Sequence, residues 1–261
     1  MDRGRIITSP IFSKVMNKLS INLFIVLLSC LLLGCKKDAY NIEMVYIPGG
    51  EFLMGSEDDD ADPDESPIHS VYVNDFYIGK YEVTQEQWQA VMGQHLSQHR
   101  GKQLPVTNVS WDNCQKFIEK LNAITGKNYR LPTEAEWEYV ASMYSKKTEG
   151  VDIKSYAWYI ESFEYTRVSN VHPQKVGSLA FDSMGIYDII GNVNEWCSDS
   201  YDSLSYLNGF SKESDEKVFR GGCFANEKKY LRPTNRNHID RHTNHFTLGL
   251  RLAMDANPEN H

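Results

Sequence analysis

The sequence predicts an α+β fold, a single domain with little regular secondary structure. Three observations carry this. Capping residues followed by helix-spaced apolar side chains recur three times between Thr84 and Met143, alternating apolar residues mark strands early and late in the chain, and from residue 151 onward the periodicity dissolves into turns rich in aromatics. Nothing resembling a Pro-, Ser- or Gly-rich linker divides the 261 residues, so one core is expected.

The composition narrows the function classes. At 41% hydrophobic, 24% charged and 12% aromatic, the chain is not a disordered tail, a collagen, a coiled coil or a disulfide-stapled miniprotein. A formal charge of −8, from 27 basic and 35 acidic side chains, supplies no basic stripe for a phosphate backbone, so nucleic acid is not an expected partner.

At the N-terminus, Arg3, Arg5, Lys14 and Lys18 precede an apolar run, Ile21 to Leu33, broken only by Asn22, Ser29 and Cys30. The run is too short for a comfortable permanent span, which makes residues 1–34 an export signal, with Met16 an alternative start. Leu32-Leu33-Gly34-Cys35 resembles the lipobox of bacterial lipoproteins, and that resemblance implies a lipid on Cys35 and attachment to a membrane. Loss of residues 1–34 removes four basic side chains and one acid, which takes the charge from −8 to −11. Lys36 and Lys37, rather than an aspartate, follow Cys35 and favour the outer membrane of the cell envelope. Residues 35–42 read as a tether.

The domain, residues 43–253, opens with a strand from Glu43 to Pro48, a Gly49-Gly50 turn and a second strand from Glu51 to Met54, together a hairpin. The acidic run from Glu57 to Glu65 reads as a solvated loop. His69 to Tyr81 is strand-rich, with Val71, Val73 and Phe76 alternating. Thr84-x-x-Gln87 is a capping box that opens a first helix to Met92. Ser110 to Thr125 is a second, in which Trp111, Cys114, Phe117, Ile118 and Leu121 form one apolar stripe and Gly126 ends the helix; Cys114 is therefore a buried packing residue. Thr133-Glu134-Ala135-Glu136 caps a third, which buries Trp137, Tyr139, Val140 and Met143. Beyond residue 151 the aromatics Trp158, Tyr159, Phe163, Tyr165, Phe181, Tyr187 and Trp196 are expected to hold irregular backbone together. Residues 254–261 form a tail.

Several phrases, in order, carry a family resemblance: Met44 to Gly55, Tyr81-Glu-Val-Thr84, Pro105 to Trp111, Tyr129 to Tyr139, Gly185 to Trp196, Arg220-Gly-Gly222 and Leu248-Gly-Leu-Arg251. Together they resemble the formylglycine-generating enzyme, or sulfatase-modifying factor, family. The resemblance covers about residues 43–253 and implies a variant of the C-type lectin fold. Its active members oxidise a sulfatase cysteine through copper held by two cysteines five positions apart after Arg-Gly-Gly. Those positions fall here on Asn226 and Leu231, which cannot act as thiolates, so copper is not expected. Cys223 stands where the family usually has serine; it is a weak catalytic candidate, and otherwise a packing residue or a disulfide partner of Cys197. The resemblance also implies calcium at Asp188, Gly191, Val193 and Glu195, two carboxylates flanking two backbone carbonyls. In the H-x3-H-x2-H spacing of His238, His242 and His245, the first two would share a face and could hold Zn or Fe if Asn237 to His245 were helical, whereas the family resemblance makes Pro233 to Phe246 an irregular loop.

Two functions follow as expectations. One is a binding or structural module that presents a peptide, glycan or envelope-protein groove at Trp158, Asn226, Arg232, Arg236, Arg241 and His242, where guanidinium forks suit carboxylates or sugars. Internal salt bridging is the other role open to those arginines. The alternative function is a formylglycine-generating oxidase.

Overall fold

The computed structural model describes residues 40–163, 171–179, 184–209 and 212–256. The export signal, Cys35, Tyr165 and Phe181 lie outside them, as does the tail from residue 257. Residues 1–41 and 42–261 are separate units, and every element below belongs to the second.

Strand β1 (Met44–Ile47) runs antiparallel to β4 (Phe76–Gly79), whose other edge takes β9 (Ala253–Asp255). The start and end of the domain thus share one sheet. Strand β2 (Gly50–Met54) pairs instead with β3 (His69–Val73), so the expected β1–β2 hairpin does not form. The cause lies at Gly49, whose N–H donates to Asp75 Oδ1 at 2.7 Å and where a Cβ would strike the backbone of Val73 and Asn74. The chain leaves the first sheet there. Asn74 and Asp75 likewise divide the predicted 69–81 strand into β3 and β4.

The three expected helices are α1 (Gln85–Met92), α2 (Trp111–Thr125) and α3 (Glu134–Lys147). Each begins with a capping box: the hydroxyls of Thr84, Ser110 and Thr133 accept from the backbone N–H of Gln87, Asn113 and Glu136, which satisfies donors that a helix start leaves open. Gly93 and Gly126 close α1 and α2 in the left-handed conformation. Helix α3 runs a turn past Met143, the last apolar residue of its predicted stripe. It drives Trp137, Val140, Ala141 and Tyr144 into a core with Ile47, Ile78, Ile186, Ile189, Cys197 and Val218. Side chains of this kind stabilise by about 1.5–3 kcal/mol each when fully buried. Cys114 is fully buried on α2.

A second sheet, in the order β7-β6-β5-β8, is built from β5 (Asn194–Ser200), β6 (Glu216–Arg220), β7 (Asn237–Asp240) and β8 (Leu248–Gly249), with β5 and β8 parallel. A one-turn helix α4 (Ser205–Asn208) lies between β5 and β6. Strand β7 corrects the irregular-loop expectation for 233–246, since its residues pair antiparallel with β6 from Phe219↔Asn237 to Glu216↔Asp240. Between β8 and β9, Leu250, Arg251 and Leu252 are buried in the interior.

The acidic run is also more than a solvated loop. Asp62 precedes a single 3-10 turn, Pro63–Glu65, and Glu65 is buried against Arg232. Tyr201 donates to Asp64 Oδ2 at 2.8 Å, and Asn235 donates to Asp62 Oδ2 at 3.0 Å.

Candidate functional site

The turn after β6 shapes the site. Gly221 and Gly222 both take positive φ, 104° and 69°, and a Cβ on Gly222 would come within 2.5 Å of Leu231 Cδ2. Only glycine fits there. The backbone then folds Cys223 against Asn226: Asn226 N donates to Cys223 O, and Asn226 Oδ1 accepts from Cys223 N, all within 2.9 Å. The Cys223 thiol donates to the same Oδ1 at 3.0 Å.

Beside this turn lies a cavity of about 370 Å³. Cys223, Asn226 and Tyr230 reach it from the turn, Asn194 and Phe219 from β5 and β6, Asn237 and Ile239 from β7, and His245 to Leu248 from the approach to β8. His245 Nδ1 and Thr247 Oγ1 are 2.7 Å apart, and Asn194 donates to Thr247 Oγ1 at 3.2 Å. Cys223 is only 2% exposed, and burial pushes its thiol up to about 11 against weaker opposing hydrogen bonds. At neutral pH it is a protonated thiol.

The copper set does not fit these residues. Asn226 offers an amide that already caps Cys223, and Leu231 belongs to the hydrophobic core, so Cys223 has no second sulfur beside it at the position the oxidases use. Cys197 is no partner either: Cys114, Cys197 and Cys223 are all free thiols, and the open question of a Cys197–Cys223 disulfide closes against it. Cys197 lies in the main core, whereas Cys223 packs with Val193 and Phe224 in a smaller cluster.

Of the six residues expected to line a groove, only Asn226 lines this cavity. Arg232 pairs with Glu65. Arg236 holds Glu134 through Nε at 2.8 Å and Nη2 at 2.9 Å, and Arg220 spans Glu134 and Glu138 in the same buried network. Arg241 and His242 both bind Asp112 at the start of α2, at 2.6 Å. Trp158 donates to Ser178 Oγ at 3.0 Å and packs on Phe163. The arginines therefore brace the C-terminal third from within. The three histidines do not converge: His238 faces Glu216, His242 Asp112 and His245 Thr247.

The turn expected to hold calcium is closed by protein groups. Glu195 Oε1 accepts from Arg251 Nε and Nη2 at 3.0 and 2.7 Å, and Oε2 accepts from Trp137 Nε1 and Arg251 Nε at 2.8 and 3.0 Å. Three N–H groups thus hold that carboxylate, the single Arg251 Nε–H being shared between its two oxygens. Arg251 also donates to Gly79 O and Tyr187 O. Asp188 accepts from Gly177 N at 2.6 Å, while Gly191 N donates to Gly221 O and Val193 N to Glu82 Oε1, bonds that do not engage the carbonyls expected to face calcium. Calcium would have to take Glu195 from Arg251, so that carboxylate as arranged does not suit the ion.

Sequence reasoning assigned no chemistry to Glu82, Arg251 or Thr247, and weighed His245 only as a metal ligand. Glu82 and Arg251 did sit inside quoted motifs; a charged residue within an otherwise apolar phrase was the available signal.

The model of the sulfatase-modifying factor enzyme 1-like domain matches residues 34–256. The chain is 32% identical to the chaperone protein LppX of Paenibacillus barcinonensis, over 59% of this chain and 70% of that one. It is 29% identical to the serine/threonine-protein kinase Pkn1 of Chlamydia trachomatis serovar L2, over 82% of this chain but 38% of the kinase, so it spans about two fifths of that relative. The solved structure of PvdO from Pseudomonas aeruginosa superposes with a TM-score of 0.71 at 27% identity, covering 83% of this chain and 95% of PvdO. The fold is the sulfatase-modifying factor variant of the C-type lectin fold. With the match to residues 34–256 spanning every element from β1 to β9, this chain belongs to the sulfatase-modifying factor enzyme 1-like family.

Proposed function

We propose that this chain is a cell-envelope lipoprotein, held to the outer membrane by lipid on Cys35, whose domain binds a ligand at the Cys223 cavity instead of oxidising a sulfatase cysteine. The expected ligand classes are a peptide, a glycan or another envelope protein. One observation carries the reading: the cavity holds a single protonated thiol, and the two places of the copper thiolates are taken by Asn226, which accepts from that thiol, and by a core leucine. A polar, partly aromatic cavity without its redox pair retains the means to bind and lacks the means to oxidise. A domain that recurs within a protein named a kinase and in one named a chaperone is in keeping with a recognition module.

The test is to incubate the purified full chain with Cu(I), oxygen and a Cys-x-Pro-x-Arg peptide. Mass spectrometry should show the peptide unmodified, and Cu(I) should bind no more tightly than to the Cys223→Ser variant. Stoichiometric thiol-dependent copper binding with an aldehyde product would establish the oxidase instead.

A further inference from the structure

Resting on that binding reading, we infer that the cavity accepts a neutral sugar ring carrying an acetamido group. The lining bears on charge first. It contains neither a carboxylate nor a lysine or arginine, and His245 is its one titratable side chain besides Cys223 and Tyr230. A ligand with a net charge would be desolvated there without a counter-charge. The arginines that would have suited a carboxylate are committed elsewhere in the fold.

The polar groups that remain match an amide and hydroxyls. Asn226 uses its Oδ1 on Cys223 and keeps its NH₂. Asn237 donates from Nδ2 to Asn235 and keeps its Oδ1, and His245 uses Nδ1 on Thr247 and keeps Nε2. Among the described residues the cavity thus has an uncommitted amide donor, an uncommitted amide acceptor and an imidazole nitrogen. An acetamido N–H and C=O, flanked by ring hydroxyls, complements that set.

The apolar part points the same way. Tyr230 and Phe246 line the cavity while 40% and 41% exposed. Phe246 is preset by ring contacts with Phe224 at 6.2 Å and His245 at 4.6 Å. Pre-positioned aromatic rings lose little conformational entropy on binding, and their faces suit the C–H face of a pyranose. A volume of about 370 Å³ is near the lower end for ligand sites, which fits one ring better than an extended peptide.

The probe is the N-acetylglucosamine tetramer, titrated into the purified full chain by calorimetry and saturation-transfer NMR. Glucuronate and an uncharged pentapeptide serve as comparisons. We expect the tetramer to bind, glucuronate to bind at least tenfold more weakly, and affinity for the tetramer to fall at least tenfold in Phe246→Ala and in Asn226→Asp. Leu53→Ala, on the exposed face of β2, should leave it unchanged, and an unaltered melting temperature of Phe246→Ala separates lost binding from lost fold. Absent tetramer binding, equal binding of glucuronate, or indifference to both cavity variants overturns the sugar. Binding of the peptide alone overturns it while the binding module stands, whereas an aldehyde product on a cysteine peptide removes the binding module itself.

Discussion

Alkylation of Cys223 separates a packing thiol from a catalytic one. The thiolate is the reacting species, and burial raises the Cys223 pKa from 9.0 to about 11. At pH 7.5 a thiol of ordinary pKa is roughly 3% ionised and one at 11 roughly 0.03%, so ionisation alone slows the reaction about 100-fold. Burial of the sulfur slows it further. Between pH 7.5 and 9.5 the rate should rise about 100-fold without levelling, because both values lie below the folded pKa; an ordinary thiol approaches saturation over the same interval. The assay is iodoacetamide labelling of the native chain, quenched at intervals and read cysteine by cysteine by mass spectrometry. Cys114 and Cys197, fully buried and with thiols raised well above 9.0, should be slower still. A Cys223 rate that reaches a plateau below pH 8.5, or that matches an unfolded control at pH 7.5, would refute the claim that this sulfur is protonated and inert.

Three further outcomes are expected. Cys35→Ser, expressed in the native host, should yield an unprocessed or soluble species, and an unchanged membrane fraction and mass would refute lipidation. Arg251→Met leaves Glu195 buried beside Glu82 and Asp188 without its guanidinium, a loss of about 3–5 kcal/mol to be read by urea denaturation, while millimolar calcium should leave the wild-type melting temperature unchanged because Glu195 is already held by Arg251 and Trp137.

What the sequence made legible was local. The capping boxes at Thr84 and Thr133 and the glycine at 126 act within four residues, so their positions in the sequence and in the fold coincide. The Cys114 stripe likewise depends only on helical spacing. The pairing of β1 was not legible, because its partner, β4, is chosen by the backbone clash at Gly49 and by Asp75, a residue 26 positions away. The groove failed for a similar reason. Arg232 and Arg236 look like free recognition groups until Glu65 and Glu134, 167 and 102 residues away, are brought beside them. Neither carboxylate lies near its arginine in sequence, and nothing in a helix cap or an acidic run announces a buried charge. Asn226 does line the cavity, and its contact with Cys223 is set within one turn.

The sheet β1-β4-β9 has a consequence for how the domain comes into being. Its third strand spans Ala253–Asp255, and Arg251, which fastens Glu195 and the carbonyls of Gly79 and Tyr187, comes just before it. While the chain is being made, neither clasp can form until residue 255 has left the ribosome, so the first sheet and the α3 core, to which Ala253 belongs, close only after β2 through β8 are already out.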